Sequence, residues 1–379
     1  MTAMRTIVID NGAYLTRVGI SGRDVPEETF RTVVGRKKEG TESASGASDI
    51  LVGEDALEVR DALNLSYPVD KYRITNMEDL GHIWRFTCMD VLGCDSLEEC
   101  PMLLTDGPLE ASERAKSRAR LTEIMFEKCK VPSFYVALQQ FLALISLDHT
   151  TGLVVDIGES MASTVPVVDG AVVQDAIQTT DVASGRQMTD LLMKMLNERE
   201  GISITDREIA TAIKEKLSYV TCDFEGEFKF AGSATEDYTL PDGQVIGVGT
   251  ERFQCTEPLF QPFLLDPEGV GSNALGIHQM AHKSIESCVE SSRADLYKSI
   301  VTAGGSSLIS NLSGRLKQEM KALAGDGTEV RVLTPPTRAL SAWLGGSLLA
   351  EWEGFPELVI SAQEYQEKGA EIVNQKCKN

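Results

Sequence analysis

Two short stretches set a carboxylate beside a glycine where the chain reverses: Asp10-Asn11-Gly12 and Asp156-Ile157-Gly158. A third, Gly304-Gly305-Ser306-Ser307, puts paired glycines after an apolar run. Glycine turns expose successive backbone N–H groups and so form concavities for anions. A carboxylate beside such a concavity can hold a hard cation through its waters, because Mg²⁺ keeps several waters when it binds. Backbone donors, freedom from side-chain bulk and an acidic anchor are together what a polyphosphate with a divalent cation requires. A single Asp-x-Gly is more often an ordinary turn. Here two of them recur at matching places in two similar halves, which makes phosphate and metal binding the stronger reading.

The elements that must position these tips read as hairpins. Thr6-Ile7-Val8-Ile9 is a β-branched run that breaks at Asp10 and resumes around Leu15 to Ile20. Gly152-Leu153-Val154-Val155 breaks at Asp156 and resumes as Ser163 to Val168. Each predicts a β-hairpin with Asp-x-Gly at its tip. Helices are expected from Glu110 to Cys129 in the first half, and from Gly185 to Asn197 and Asp206 to Leu217 in the second. Ser299 to Ala303 predicts a buried strand, after which Ser306 and Ser307 could cap a helix running to about Leu323. Trp343 to Leu349 predicts a buried helix whose paired glycines admit another backbone. The whole reads as an α/β fold of two lobes facing across a cleft.

The bulk numbers agree with that reading. A chain of 379 residues is long for one simple core. With 42% hydrophobic and 25% charged residues it has the composition of an ordinary globular protein. Its 36 basic and 57 acidic side chains give a net charge of −21, a surface that repels phosphate backbones and anionic lipid. Direct nucleic-acid or membrane binding is therefore not expected. The start, MTAMRTIVIDNG, enters an apolar strand directly and has no secretory character. Eight scattered cysteines without a C-x-x-C pair fit reduced thiols in cytosol or nucleus.

Taken in order, the motifs resemble those of the actin and actin-related protein family. IVIDNGAY is similar to the family's first phosphate loop and VVDIGESMASTVPV to its second. IKEKLSYV (Ile213 to Val220) is similar to the nucleotide-base segment, and TAGGSS (Thr302 to Ser307) to the adenosine loop. LPDGQV, ERFQCTEPLFQP, TPPTR, WLGGSLLA and the tail EIVNQKC continue the resemblance over nearly the whole chain. It implies an actin-like bilobal fold of two duplicated sheet-and-helix domains around a nucleotide cleft. The outer lobe would comprise 1–145 plus 342–379, with an exposed loop at 36–50, and the inner lobe 146–341.

The resemblance further implies ATP or ADP with Mg²⁺ or Ca²⁺ as cofactors. Asp10, Gln139 and Asp156 would hold the cation through water, with Gln139 also orienting the attacking water as the catalytic residue. Asn11, Gly12, Ala13, Tyr14 and Leu15 would form the first phosphate turn, with Arg17 where the family has a lysine. Gly158, Glu159 and Ser160 would form the second. Gly185, Lys214, Glu215, Gly304, Gly305 and Ile309 would surround the adenosine. Partners would be other copies in a filament, or other actin-family and actin-binding proteins. The expected location is the cytoplasm and cytoskeleton, with the nucleus open. The alternative is a non-polymerising actin-related subunit of a motor adaptor, nucleator or chromatin remodeller that uses ATP structurally. Sugar kinases share the two-lobed plan, but no sugar-specific motif is visible.

Departures from the family pattern bear on activity. Ala13 and Tyr14 replace a serine and a glycine, an Ala-Tyr pair shared with some actin-related proteins. Glu159 and Ser160 replace Asp and Gly, and Ser163 stands where the family has a histidine near the attacking water. Slow or absent hydrolysis is expected, since serine does not carry a proton near neutral pH. Ile309 and Ala339 replace residues that contact the base, which leaves base selectivity open. The loop Lys37–Asp49 offers only Ala44 and Ala47 as apolar side chains, and the segment from Phe263 to Gly276 is longer than the family's plug loop. Weakened polymerisation is expected. His278 and His282, one helical turn apart, are read as ordinary helix residues rather than a zinc site. Cys88, Cys94 and Cys100 recur every six residues, which on one helix would scatter them over different faces, so no cluster is expected. Cys377 is left open between a reactive and an inert thiol.

Overall fold

The β-branched run near the start pairs with its own continuation, as alternation of buried positions requires. In the computed structural model, which describes residues 5–38, 49–230, 235–265 and 274–379, Ile7–Asn11 runs antiparallel to Leu15–Ile20 with Asp10 opposite Arg17. The chain divides into two compact units, one formed by Met1–Thr150, Asp169–Val172 and Leu340–Asn379, the other by Thr151–Val168 and Val173–Ala339. Residues 39–48 and 266–273, on which most of the expected exposed loop and the Asp266-Pro267-Glu268-Gly269 insertion fall, lie outside the described residues.

In the first unit the main sheet has the strand order Ile360–Ser361, Ser133–Leu138, Met102–Asp106, Ile7–Asn11, Leu15–Ile20, Glu28–Arg31. The three central strands are parallel, which buries both faces and accounts for near-continuous apolar runs such as Met102 to Leu104. One face is covered by the helix Ser341–Ala350. Its Trp343 is fully buried and donates its indole N–H to the Val8 carbonyl at 3.1 Å. A Cβ at Gly345 would collide with the Leu142 carbonyl of the helix Gln139–Ile145, so glycine is what lets these helices touch backbone to backbone. The helix Ala111–Glu127 starts where the Glu110 carboxylate accepts from the N–H groups of Ser112 and Glu113. Of Leu80, Ile83, Trp84 and Val91, whose helical spacing predicts core positions, the first three are buried in the helix Met77–Phe86, while Val91 lies beyond it in Thr87–Val91 and is half-buried.

The second unit repeats the arrangement. Gly152–Ile157 runs antiparallel to Ala162–Val168, with Asp156 opposite Ser163, and parallel to Ile300–Ala303 on its other side. Gln178–Thr180 and Val332–Leu333 flank these three. Gly185–Asn197 stands on its expected bounds, and Arg207–Leu217 begins after Asp206, which caps it. Behind Gly304-Gly305 the structure differs from expectation. A tight single turn, Gly305–Leu308, comes first, and the helix Leu312–Ala324 starts only after Asn311, which adopts a left-handed conformation at φ 62°. The Ser307 hydroxyl does not cap that helix; it donates to the Gly304 carbonyl at 2.6 Å and tightens the glycine turn.

Among the described residues no helix is long and apolar enough to cross a membrane.

Candidate functional site

In the first unit the hairpin turn is closed by the Gly12 N–H, which donates to the Leu15 carbonyl at 3.0 Å. A Cβ at Gly12 would lie 2.8 Å from that carbonyl oxygen, too close for any other residue without movement. Just before the turn, Asp10 is 3% exposed and ringed by donors. Its Oδ1 accepts from the Thr105 hydroxyl at 2.8 Å and from Gln139 Nε2 at 2.8 Å. Its Oδ2 lies 3.3 Å from an Arg17 guanidinium nitrogen. Asn11 donates to the Thr16 hydroxyl at 3.2 Å and accepts from the Trp84 indole at 3.0 Å, which ties the tip to the helix Met77–Phe86. The Tyr14 ring lies 3.7 Å from the Arg31 guanidinium carbon, a cation–π stack at the turn. Ala13, Tyr14 and Leu15 are half-buried.

Thr105 was not expected at this carboxylate. It is the second-to-last residue of Met102–Asp106, the strand parallel to Ile7–Asn11, and Leu104 faces Ile9 one position earlier. The signal was the third apolar run to break at Asp-Gly, here Leu103-Leu104-Thr105-Asp106-Gly107.

In the second unit the turn is closed in the same manner, with the Gly158 N–H donating to the Met161 carbonyl at 2.9 Å. Asp156 is 8% exposed, Ser160 is buried and Ser163 is fully buried. Around this tip the backbone comes close. The Gly185 N–H donates to the Gly158 carbonyl at 2.9 Å and the Arg186 N–H to the Glu159 carbonyl at 2.8 Å. A Cβ at Gly304 would strike the Asp156 carboxylate and lie 2.5 Å from the Ile157 carbonyl oxygen. Gly304 holds φ 83° and ψ 155°, a region essentially reserved for glycine. The Ser306 hydroxyl reaches the Gly158 carbonyl at 3.4 Å.

Lys214 is 3% exposed, and its ammonium donates to the Gly185 carbonyl at 3.0 Å and the Thr189 hydroxyl at 2.8 Å. It thus clamps Arg207–Leu217 to the start of Gly185–Asn197. Glu215 next to it is exposed, as is Gly305, whereas Ile309 is partly buried against the unit's apolar core. The second unit therefore gathers Asp156, Gly158, Glu159, Gly185, Lys214 and Gly304 into one cluster, while the first gathers Asp10, Asn11, Gly12, Arg17 and Gln139.

Two observations test whether these residues suit a polyphosphate and a cation. Arg17 is 9% exposed, and its Nε is buried without a hydrogen-bond partner among the described residues, a cationic donor left over beside a glycine turn. Both Asp10 oxygens already have protein partners, which suits a carboxylate that meets a cation through water rather than by direct ligation. The donor sets fit the group.

Other singled-out residues lie elsewhere. His282 Nδ1 is 2.7 Å from the Tyr297 hydroxyl, and the His278 ring packs on Phe260 at 5.7 Å. Cys377 is buried, and burial pushes its thiol up to about 11, which makes it an inert thiol. Compared with known protein families, residues 1–378 match the family model described as Actin, essentially the whole chain.

Proposed function

Because the chain belongs to the actin family, and is an actin-like ATP-binding protein in general terms, we propose that it binds ATP with a divalent cation, turns it over slowly and self-assembles weakly. The observation that carries the reading is the Asp10 carboxylate, held at a glycine turn by Thr105, Gln139 and Arg17.

Each residue has a part in the proposal. The backbone N–H groups of the Gly12 and Gly158 turns donate to phosphate oxygens. Arg17 adds a charge-assisted donor, with the planar geometry of a guanidinium rather than the point charge of an ammonium. Asp10 and Asp156 orient the cation's water shell, and Gln139 positions a water for attack on the terminal phosphate. The cation, when bound, neutralises charge that builds on the phosphate oxygens. Lys214 and the Gly185 and Gly304 backbones receive the adenosine, with Glu215 at its exposed edge.

The slow step is assigned to Ser163. This fully buried hydroxyl stands opposite Asp156, where a proton-carrying histidine would be worth roughly 10²–10⁴-fold. Phosphate release from purified protein with ATP and Mg²⁺ tests this directly. Ser163→His is expected to raise the rate at least ~10-fold. An unchanged rate in a folded S163H protein would remove Ser163 as the cause. Weak self-assembly rests on the loop Lys37–Asp49, whose small side chains forgo about 1.5–3 kcal/mol for each large apolar contact missing. Repetition at every subunit contact multiplies that loss. Robust pelleting at low micromolar protein in ATP, Mg²⁺ and salt would contradict it.

A further inference from the structure

The second unit contains a cavity of about 560 Å³ that shares no residue with the glycine turns. That volume lies within the range of small-molecule sites. Its lining includes Phe260, Gln261 and Phe263 from the short turns around Glu257–Leu259 and Pro262–Leu265, and His278 from the helix Ile277–Glu286. Arg315 and Glu319, one turn apart on Leu312–Ala324, complete the wall.

The charges around this cavity do not balance. Arg315 is 6% exposed, and its two terminal nitrogens donate to the Glu257 carboxylate at 3.2 and 3.0 Å. Glu257 is fully buried, so the guanidinium charge is already cancelled from behind the wall. The remaining Arg315 donors go to the Thr221 carbonyl at 2.7 Å and to Glu319 Oε1 at 2.6 Å. Glu319 Oε2 has no protein partner among the described residues, and one carboxylate charge is left over. Gln261 donates its amide nitrogen to Glu257 at 2.7 Å, which fixes the amide and leaves its carbonyl oxygen as a second acceptor. Burial holds the His278 imidazole below its usual value, so the ring stays neutral near pH 7 and does not repel a cation. The rest of the surface is aromatic. Phe260 is buried, with the Arg315 guanidinium carbon 4.7 Å from its ring centre, while Phe263 is 44% exposed and has apolar area to cover.

We propose that this cavity binds a small organic ammonium ion with an aromatic body, the ammonium on the Glu319 and Gln261 oxygens and the body against Phe263. An ammonium carries three donors, and two open acceptors receive it with one N–H left for water. A single open carboxylate oxygen suits a point donor better than the two-pronged fork of a guanidinium. The surplus negative charge excludes carboxylates and phosphates. An aromatic body adds burial of apolar area and brings the cation close to a ring face.

The test is calorimetric titration of the full-length protein at constant ionic strength, saturated with ATP and Mg²⁺ so that the glycine turns are covered. The probes are phenethylammonium, its neutral counterpart phenethyl alcohol, its anionic counterpart hydrocinnamate, and methylammonium, which has the charge without the body. Phenethylammonium should bind at least ~10-fold more tightly than each of the other three. Glu319→Gln keeps an oxygen for Arg315 and should remove the preference for phenethylammonium over the alcohol. Phe263→Ala should weaken phenethylammonium about fivefold. Glu225→Gln, which removes an exposed carboxylate elsewhere in the unit, should change nothing. The four probes on the unaltered protein decide the matter even if Glu319→Gln fails to fold. Equal affinity for the ammonium and the alcohol, equally tight binding of methylammonium, an equal loss in Glu225→Gln, or no binding of phenethylammonium at all would overturn the proposal.

Discussion

Asp10 and Asp156 occupy the same place in their hairpins, each directly opposite the residue seven positions later, yet those partners are Arg17 and Ser163. On the other side the contrast repeats. Thr105 reaches the Asp10 carboxylate from the parallel strand, whereas the residue paired with Asp156 in its own parallel strand is Ala303. The first unit therefore manages its carboxylate with side chains, including a full positive charge. Around the second tip the backbone at Gly185 and Gly304 comes so close to the hairpin that an added carbon collides. A duplicated frame thus supports two different devices, and each should fail in its own manner.

The largest effect is expected where backbone proximity is absolute. Gly304→Ala forces a side chain into φ 83° and ψ 155° and against both the Asp156 carboxylate and the Ile157 carbonyl. The backbone penalty and the collision together should destabilise the protein by about 3 kcal/mol. Gly305→Ala is the control, because nothing lies within 4 Å of its added carbon. Urea unfolding of both variants measures the gap. A Gly304→Ala protein as stable as Gly305→Ala would show that the second hairpin is not held by close backbone approach.

Removing the charge from the first unit comes next. Arg17→Met leaves Asp10 buried with two neutral donors, and stripping one partner from a buried pair is costly because the other charge remains. A loss of about 2 kcal/mol is expected, short of the largest such values because the pair makes a single 3.3 Å contact. Calorimetric titration with ATP should show affinity down about tenfold, with Arg17→Lys recovering part of it. Ser163→Ala, at the matching position of the second unit, should lose less than about 1 kcal/mol. Equal losses at the two positions would erase the distinction between the hairpins.

How far the sequence reveals this depends on how local each feature is. The hairpins were legible because a β-branched run broken by Asp-x-Gly is a local signal, and Glu110 and Asp206 marked helix starts through their own caps. Ser306 and Ser307 misled as caps because the tight turn Gly305–Leu308 absorbs both hydroxyl residues before Asn311 lets the helix begin. For Cys88, Cys94 and Cys100 the face argument assumed one continuous helix, whereas the chain leaves its helix after Phe86 and widens at Thr87–Val91; among the described residues these thiols still form no three-residue metal cluster. The run that ends at Thr105 could be read from the sequence, but its partner could not. Its partner is ninety-five positions away, and only the parallel pairing of two strands brings them together.

Thr105 also supplies the smallest and most discriminating effect. Thr105→Val keeps the shape of the side chain and deletes one neutral donor to a carboxylate. Gln139 Nε2 still donates to the same Oδ1 at 2.8 Å, so the expected loss is about 1 kcal/mol rather than the upper end for bonds to charged groups. Gln139 also lies 3.4 Å from the Thr105 hydroxyl, which places the two donors in one network. In combination with Gln139→Leu the loss should exceed the sum of the single losses by about 0.5 kcal/mol or more, since the oxygen is then left without either donor. Simple additivity would mean that Arg17 alone satisfies Asp10. The difference between the two hairpins would then reduce to one residue, Arg17 against Ser163, rather than to two ways of building around a shared frame.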